Sequence, residues 1–142
     1  MGRLLAIILM LSYGLHSQDH PVEINRLCGL LEHVNEVPLK NHPNSLKWIR
    51  TPLPNVALSL YEQREGDPIE TTQTRKGGKF QFKTKQPGKY WIKAHWNSND
   101  YELRVEYRES KFGVNCSGQG IAIDDDGEAR LWVSITLDSR LR

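Results

Sequence analysis

The sequence has 142 residues, 38% of them hydrophobic and 25% charged, with 4 Trp, 5 Tyr and 3 Phe. That is enough apolar and aromatic material for the core of one domain, which excludes wholesale disorder. A net charge of +2 is too small to indicate nucleic acid or an anionic membrane surface, and no apolar run reaches the roughly 18 residues of a spanning helix.

Residues 1–17 have the layout of a secretory signal peptide. Met1 and Arg3 give a small positive start, Leu4 to Leu11 (LLAIILML) an apolar run, and Ser12, Gly14 and Ser17 the small residues of a cleavage site after Gly14 or Ser17. The competing readings are a buried N-terminal helix and a short membrane anchor. A lipid anchor is disfavoured, because Arg26 stands close to Cys28 in Asn25-Arg26-Leu27-Cys28. The expected mature domain is residues 18–142, secreted or periplasmic, with no stable membrane insertion after signal removal.

Cys28 and Cys116 are the only cysteines in the sequence. In an exported chain they suggest one disulfide; in a chain kept in the cytosol they would be two buried thiols. Two cysteines without a histidine at a matching short spacing do not make a metal site, so no metal and no other cofactor is expected.

Around Cys28, Leu27, Leu30, Leu31 and Val34 have helical spacing, whereas Cys28 and Gly29 fit a strand equally well. A strand over Arg26–His33 is favoured because a sandwich needs a partner there. Residues 35–55 hold Pro38, Pro43, Pro52 and Pro54 and read as a long connection. Within it, Leu46, Trp48 and Ile49 either dock on the sandwich or form a short strand or helical turn.

From Val56 onward the period is two. Val56, Leu58 and Leu60, then Phe80 and Phe82, then Tyr90, Ile92, Ala94 and Trp96, then Tyr101, Leu103, Val105 and Tyr107, then Leu131, Val133 and Ile135 alternate with mainly polar neighbours. Such alternation places one face of each strand on a core. Turn chemistry separates the runs at Glu65-Gly66-Asp67-Pro68, Lys76-Gly77-Gly78-Lys79, Gln86-Pro87-Gly88, Asn97-Ser98-Asn99-Asp100 and Asp126-Gly127. Short strands about ten residues apart indicate a sandwich or barrel.

Three of these runs resemble a known family. Pro54-Asn55-Val56-Ala57-Leu58-Ser59-Leu60 is similar to the P-G-V-x-V-x-L strand of carboxypeptidase regulatory-like domains. Thr72 and Thr74 with Gly77-Gly78-Lys79-Phe80-Gln81-Phe82 resemble their T-x-x-x-G-x-F-x-F hairpin. Pro87-Gly88-Lys89-Tyr90-Trp91-Ile92-Lys93-Ala94 resembles P-G-x-Y-x-L-x-A. The resemblance spans about residues 54–107. It implies an all-β, seven-stranded Greek-key, transthyretin-like sandwich, and a noncatalytic structural, adhesive or binding module. The 35–55 connection and the region of Cys116 depart from the pattern.

Enzymatic relatives of that fold, the transthyretin-like hydroxyisourate hydrolases, carry a histidine set, an arginine and a C-terminal Tyr-Arg-Gly-Ser. Here Tyr107-Arg108-Glu109-Ser110 has Glu109 at the glycine position and lies well before the C-terminus, while His20, His33, His42 and His95 are scattered. A hydrolase is therefore the alternative reading, and no catalytic residue is assigned. Asp124-Asp125-Asp126 with Glu128 offers hard oxygen ligands for calcium, but Asp126-Gly127 reads more simply as a hairpin turn.

Trp91, Lys93 and His95 alternate away from the core side of their strand, and Trp132 does the same on its own. Either the 35–55 connection covers Trp91, with Trp48 packed there, or Trp48, Trp91, Lys93 and His95 border a binding face for a protein or carbohydrate partner. Glu102, Arg104, Glu106 and Arg108 read as a solvated, ion-paired strand face. A further reading is a subunit whose sandwich edge strand pairs with a partner chain.

Overall fold

The computed structural model describes residues 21–109 and 115–133; the proposed signal peptide, Ser110 and Ile135 lie outside them. In chain order the strands are β1 (Val22–Ile24), β2 (Cys28–Leu39), β3 (His42–Pro52), β4 (Ala57–Tyr61), β5 (Glu70–Gln73), β6 (Lys79–Gln81), β7 (Gly88–Trp96), β8 (Asn99–Tyr107), β9 (Gln119–Ile123) and β10 (Ala129–Val133). They form two sheets, ordered β1-β8-β7-β4-β5 and β10-β9-β2-β3, with β6 paired to the start of β2. The all-β expectation holds, but the count of seven does not: the described residues form ten strands, two of them only three residues long.

The core lies between the sheets because the period-two faces meet there. Leu58, Leu60, Tyr90, Ile92, Leu103 and Val105 from the first sheet pack with Leu31, Ile121, Ile123 and Leu131 from the second, and Val56, Phe80 and Phe82 join them. Val133, expected among them, is only partly buried against this cluster. Phe80 and Phe82 share the core because residues two apart in an extended segment face the same side, and their rings meet edge to face at 6.0 Å.

The chain crosses from the second sheet to the first between β3 and β4, and a buried threonine secures the crossing. The Thr74 hydroxyl donates to the Leu53 carbonyl (2.6 Å) and accepts from the Val56 amide (2.9 Å). Asn55 sits at φ +62°, a left-handed conformation that glycine or asparagine adopts most readily. This explains why Asn55 can occupy the glycine position of the P-G-V motif. Gly78 has an equally local cause. It has φ +77°, and a Cβ there would lie 2.4 Å from the Leu31 carbonyl oxygen. It sits where β3 leaves the edge of β2 and β6 takes over that edge.

The largest correction concerns residues 35–55. They are not a covering connection. The expected strand at 26–33 runs on to Leu39, and β3 returns along it, with Val34 opposite Arg50 and Glu36 opposite Trp48. Pro38 sits at a register shift next to the turn, and Pro52 ends the strand, both positions where the missing N–H is tolerated. Cys28 and Cys116 are joined by a disulfide with a Cα–Cα distance of 5.3 Å, within the normal range of such bonds.

Candidate functional site

The outer face of the first sheet carries three of the four residues expected to meet a partner. Trp91, Lys93 and His95 alternate along β7 away from the buried Tyr90 and Ile92. Across the strands, Tyr61 and Arg104 flank Trp91, while Ser59 and Glu102 flank Lys93. Trp91 is half-buried. Its cover is cationic: the Arg64 guanidinium lies 5.2 Å and that of Arg104 5.4 Å from the indole centroid. Lys93 lies 4.6 Å over the ring of Tyr61 and donates to the Arg64 carbonyl. Glu102 joins the set, 2.9 Å from Arg64 and 3.7 Å from Lys93.

The cover weighed for Trp91 therefore comes from Arg64, in the segment after β4, and from the neighbouring strand β8. It does not come from residues 35–55. Of the ion-paired face expected on β8, Glu102 pairs across the strands with Lys93, Glu106 pairs along the chain with Arg108, and Arg104 lies over the Trp91 ring. His95 stands at the end of this face, paired with Asp100 at 2.7 Å and largely exposed.

Trp48 is not part of this surface. It lies on β3 in the other sheet, partly buried against a small cluster of Val34, Ala122 and Trp132 on that sheet's outer face. Trp132 does point away from the inter-sheet core, as its alternation indicates, yet it is only 8% exposed. Three neighbours bury it. It packs on Gly120, where a Cβ would come within 2.7 Å of its ring. Ala122 lies beside it, and Arg50 covers it at 4.3 Å. Alternation shows the direction of a side chain but not whether the neighbouring strand leaves room above it.

The remaining candidates are local. Asp124 Oδ1 accepts from the amides of Asp126 and Glu128, and β9 and β10 pair with Ile123 opposite Ala129. This is the hairpin turn that Asp-Gly signals. Among the described residues no three His, Cys, Asp or Glu side chains are grouped as metal ligands. His33 bonds Asp125 at 2.8 Å and packs against Trp96 with the rings tilted, and each of His33 and His95 has its own carboxylate. Tyr107 is buried in the core cluster, and burial first, with the Glu109 charge beside it, pushes its phenol above the ordinary 10.0. At the opposite end from the Asp-Gly turn, an open cleft of about 460 Å³ is lined by Arg26, Lys85, Phe82, Tyr107, Glu109 and the disulfide. Sequence reasoning missed Arg64 and Tyr61, because one sits in an irregular segment and the other at a strand end.

A family model described as the second beta sandwich domain of BOS complex subunit NOMO1-like proteins matches residues 50–119, just under half of the chain. The match takes in β4 to β8 and leaves out most of the β2–β3 hairpin. Among curated proteins, Colossin-A of Dictyostelium discoideum is 49% identical over 47 residues, which is 33% of this chain and a share of that protein that rounds to 0%. The chain thus spans a very small part of that relative's length. No solved structure matches the chain. Among the described residues no helix is long and apolar enough to cross a membrane.

Proposed function

We propose that this chain is an exported, noncatalytic β-sandwich module that binds a protein or carbohydrate partner through the outer face of its first sheet. The observation that carries this reading is Trp91, half-buried on the outer face of the first sheet with the guanidinium groups of Arg64 and Arg104 at 5.2 and 5.4 Å from its ring centroid. An aromatic ring among arginines and a lysine can stack on a sugar ring or an acidic peptide and also neutralise its charge. Lys93 and His95 extend the same surface; Trp48 would belong to a separate contact.

The likeness to a β-sandwich domain of NOMO1-like subunits supports a structural or binding role. Kinship with carboxypeptidase regulatory-like domains is a narrower part of the proposal, supported by three motifs that supply β4, β6 and β7. Export, with residues 1–17 removed and residues 18–142 as the working domain, is supported by the disulfide, since such bonds persist in oxidising compartments. The same reasoning supports a secreted or periplasmic location. The hydrolase alternative gains no support from the separately paired His33 and His95 or from the buried Tyr107.

Tryptophan fluorescence titrations with sulfated and neutral oligosaccharides and with an acidic peptide test the surface. Wild-type protein should respond to at least one probe, and Trp91→Ala should lose that response while keeping its circular dichroism. An unchanged response in Trp91→Ala would remove this face from consideration. Turnover of hydroxyisourate that is abolished by His95→Ala would overturn the noncatalytic reading.

A further inference from the structure

We propose that the open edge of β3 is a second docking site, taking an extended acidic segment of another protein as an added antiparallel strand. This contact is separate from the Trp91 face and does not depend on it.

The backbone supplies the first argument. Among the described residues β3 is the last strand of its sheet, and His42 and residues 44–52 are exposed except the half-buried Trp48. The Leu53 amide donates to the Leu31 carbonyl at 3.0 Å, which sets the phase of the ladder. Antiparallel pairs alternate between bonded and non-bonded, so Thr51, Ile49 and Lys47 direct their N–H and C=O groups to β2. Arg50, Trp48 and Leu46 direct theirs away from it. An edge of this length presenting unpaired groups is a template for strand addition unless it is blocked. Pro52 blocks it at one end, and the register shift beyond Leu46, where residues 43–45 have no partner on β2, ends the regular edge at the other, which confines an added strand to residues 46–51.

The side chains supply the second. Leu46 is 48% and Ile49 40% exposed, two of the three large apolar side chains that stand exposed among the described residues. They lie on opposite faces of the strand, so an added strand would cover apolar surface on both sides. Charge then selects the occupant. Lys40, Lys47 and Arg50 lie on the β2–β3 hairpin beyond Val34, against Glu36 there and Glu32, which already bonds Arg50 at 2.6 Å. A second copy of this edge would bring two more cations to the seam. An acidic strand answers them, and Lys47 marks the place. As it is bonded toward β2, it would face the added strand in a non-bonded pair, where opposite side chains approach most closely.

The probe is a capped nine-residue peptide of alternating Thr and Val with one central Glu, compared with its Lys counterpart, followed by amide NMR on the full mature chain. With the Glu peptide, the amides of Leu46, Trp48 and Arg50 should shift and gain protection from exchange; the Lys peptide should bind at least about tenfold more weakly. Leu46→Pro removes an outward N–H without touching the β2 ladder and should abolish binding, whereas Leu46→Ala should retain it. If Leu46→Pro lowers the unfolding midpoint, a peptide methylated at alternate backbone nitrogens makes the same test from the partner's side and should fail to bind. No shift at these amides up to about 1 mM peptide, or equal binding of the Lys peptide, would overturn the proposal. So would concentration-dependent self-association through the same amides, which would make a second copy the occupant.

Discussion

The guanidinium of Arg50 lies 4.3 Å from the centroid of Trp132 while its Nη2 donates to Glu32 at 2.6 Å. One side chain from the β3 edge therefore covers an indole on β10, at the opposite edge of the same sheet, and satisfies a carboxylate that is almost fully buried. The arrangement gives the second sheet a small core on its outer face, apart from the core between the sheets.

Replacing either member of this contact should separate packing from charge. Trp132→Ala should lower the unfolding free energy by about 3–5 kcal/mol, as for a well-buried aromatic. Arg50→Ala should cost less, about 1–2 kcal/mol, because Arg50 is itself 39% exposed and water can partly reach Glu32 when it is gone. Arg50→Ala combined with Glu32→Leu should recover part of that loss. Urea unfolding of the three variants measures this, and a double variant less stable than Arg50→Ala alone would contradict it.

Phe82→Ala should remove about 3–5 kcal/mol, since Phe82 is 1% exposed and packs in the main cluster against residues of both sheets. Thermal and denaturant unfolding should agree on the sign. A loss under about 1 kcal/mol would mean that the surrounding side chains close the cavity.

The first sheet was legible from Val56 onward because its strands are half-solvated, and alternation then separates core from surface residue by residue. Leu58, Leu60, Ile92 and Val105 all follow that rule. The β2–β3 hairpin was not legible. Its three prolines, with Pro54 just after it, imitate a loop, and Val34 and Trp48 make its outer face partly apolar, which blurs the period. The strand count rose above seven for the same reason, through β3 and through three-residue strands too short to show any period. At the Trp91 face, β7 was readable but Arg64 was not, since contacts from an irregular segment leave no spacing to find.

The disulfide spans 88 residues of sequence and joins the start of β2 to the turn before β9. Closing a loop of that size restricts the unfolded chain by about 4–5 kcal/mol in chain-entropy models. Cys28→Ser with Cys116→Ser should therefore unfold at markedly lower denaturant. The fold itself should persist, because the Gln119 side chain donates to the carbonyls of Arg26 and Cys28 and ties the same two segments. Mass analysis of exported wild-type protein under alkylating conditions should find no free thiol; two free thiols would show that the bond does not form in the cell.

Glu70 should make stability depend on acid. Burial pushes its carboxyl up, but the bonds it accepts from the Lys83 amide (2.5 Å), the Thr84 hydroxyl (2.7 Å) and the Thr84 amide (2.9 Å), with the Lys83 charge, hold it below the ordinary 4.5. Those bonds clip the start of β5 to the segment between β6 and β7 and exist in full only for the carboxylate. A carboxyl depressed in the folded state stabilises fully above its unfolded value and loses that contribution as pH falls through the folded one. The stability difference between wild type and Glu70→Gln should thus be largest at neutral pH and shrink once pH drops below 4.5. Urea unfolding across about pH 3 to 7 measures it. A difference that stays constant over that range would mean the clip does not depend on the charge of Glu70.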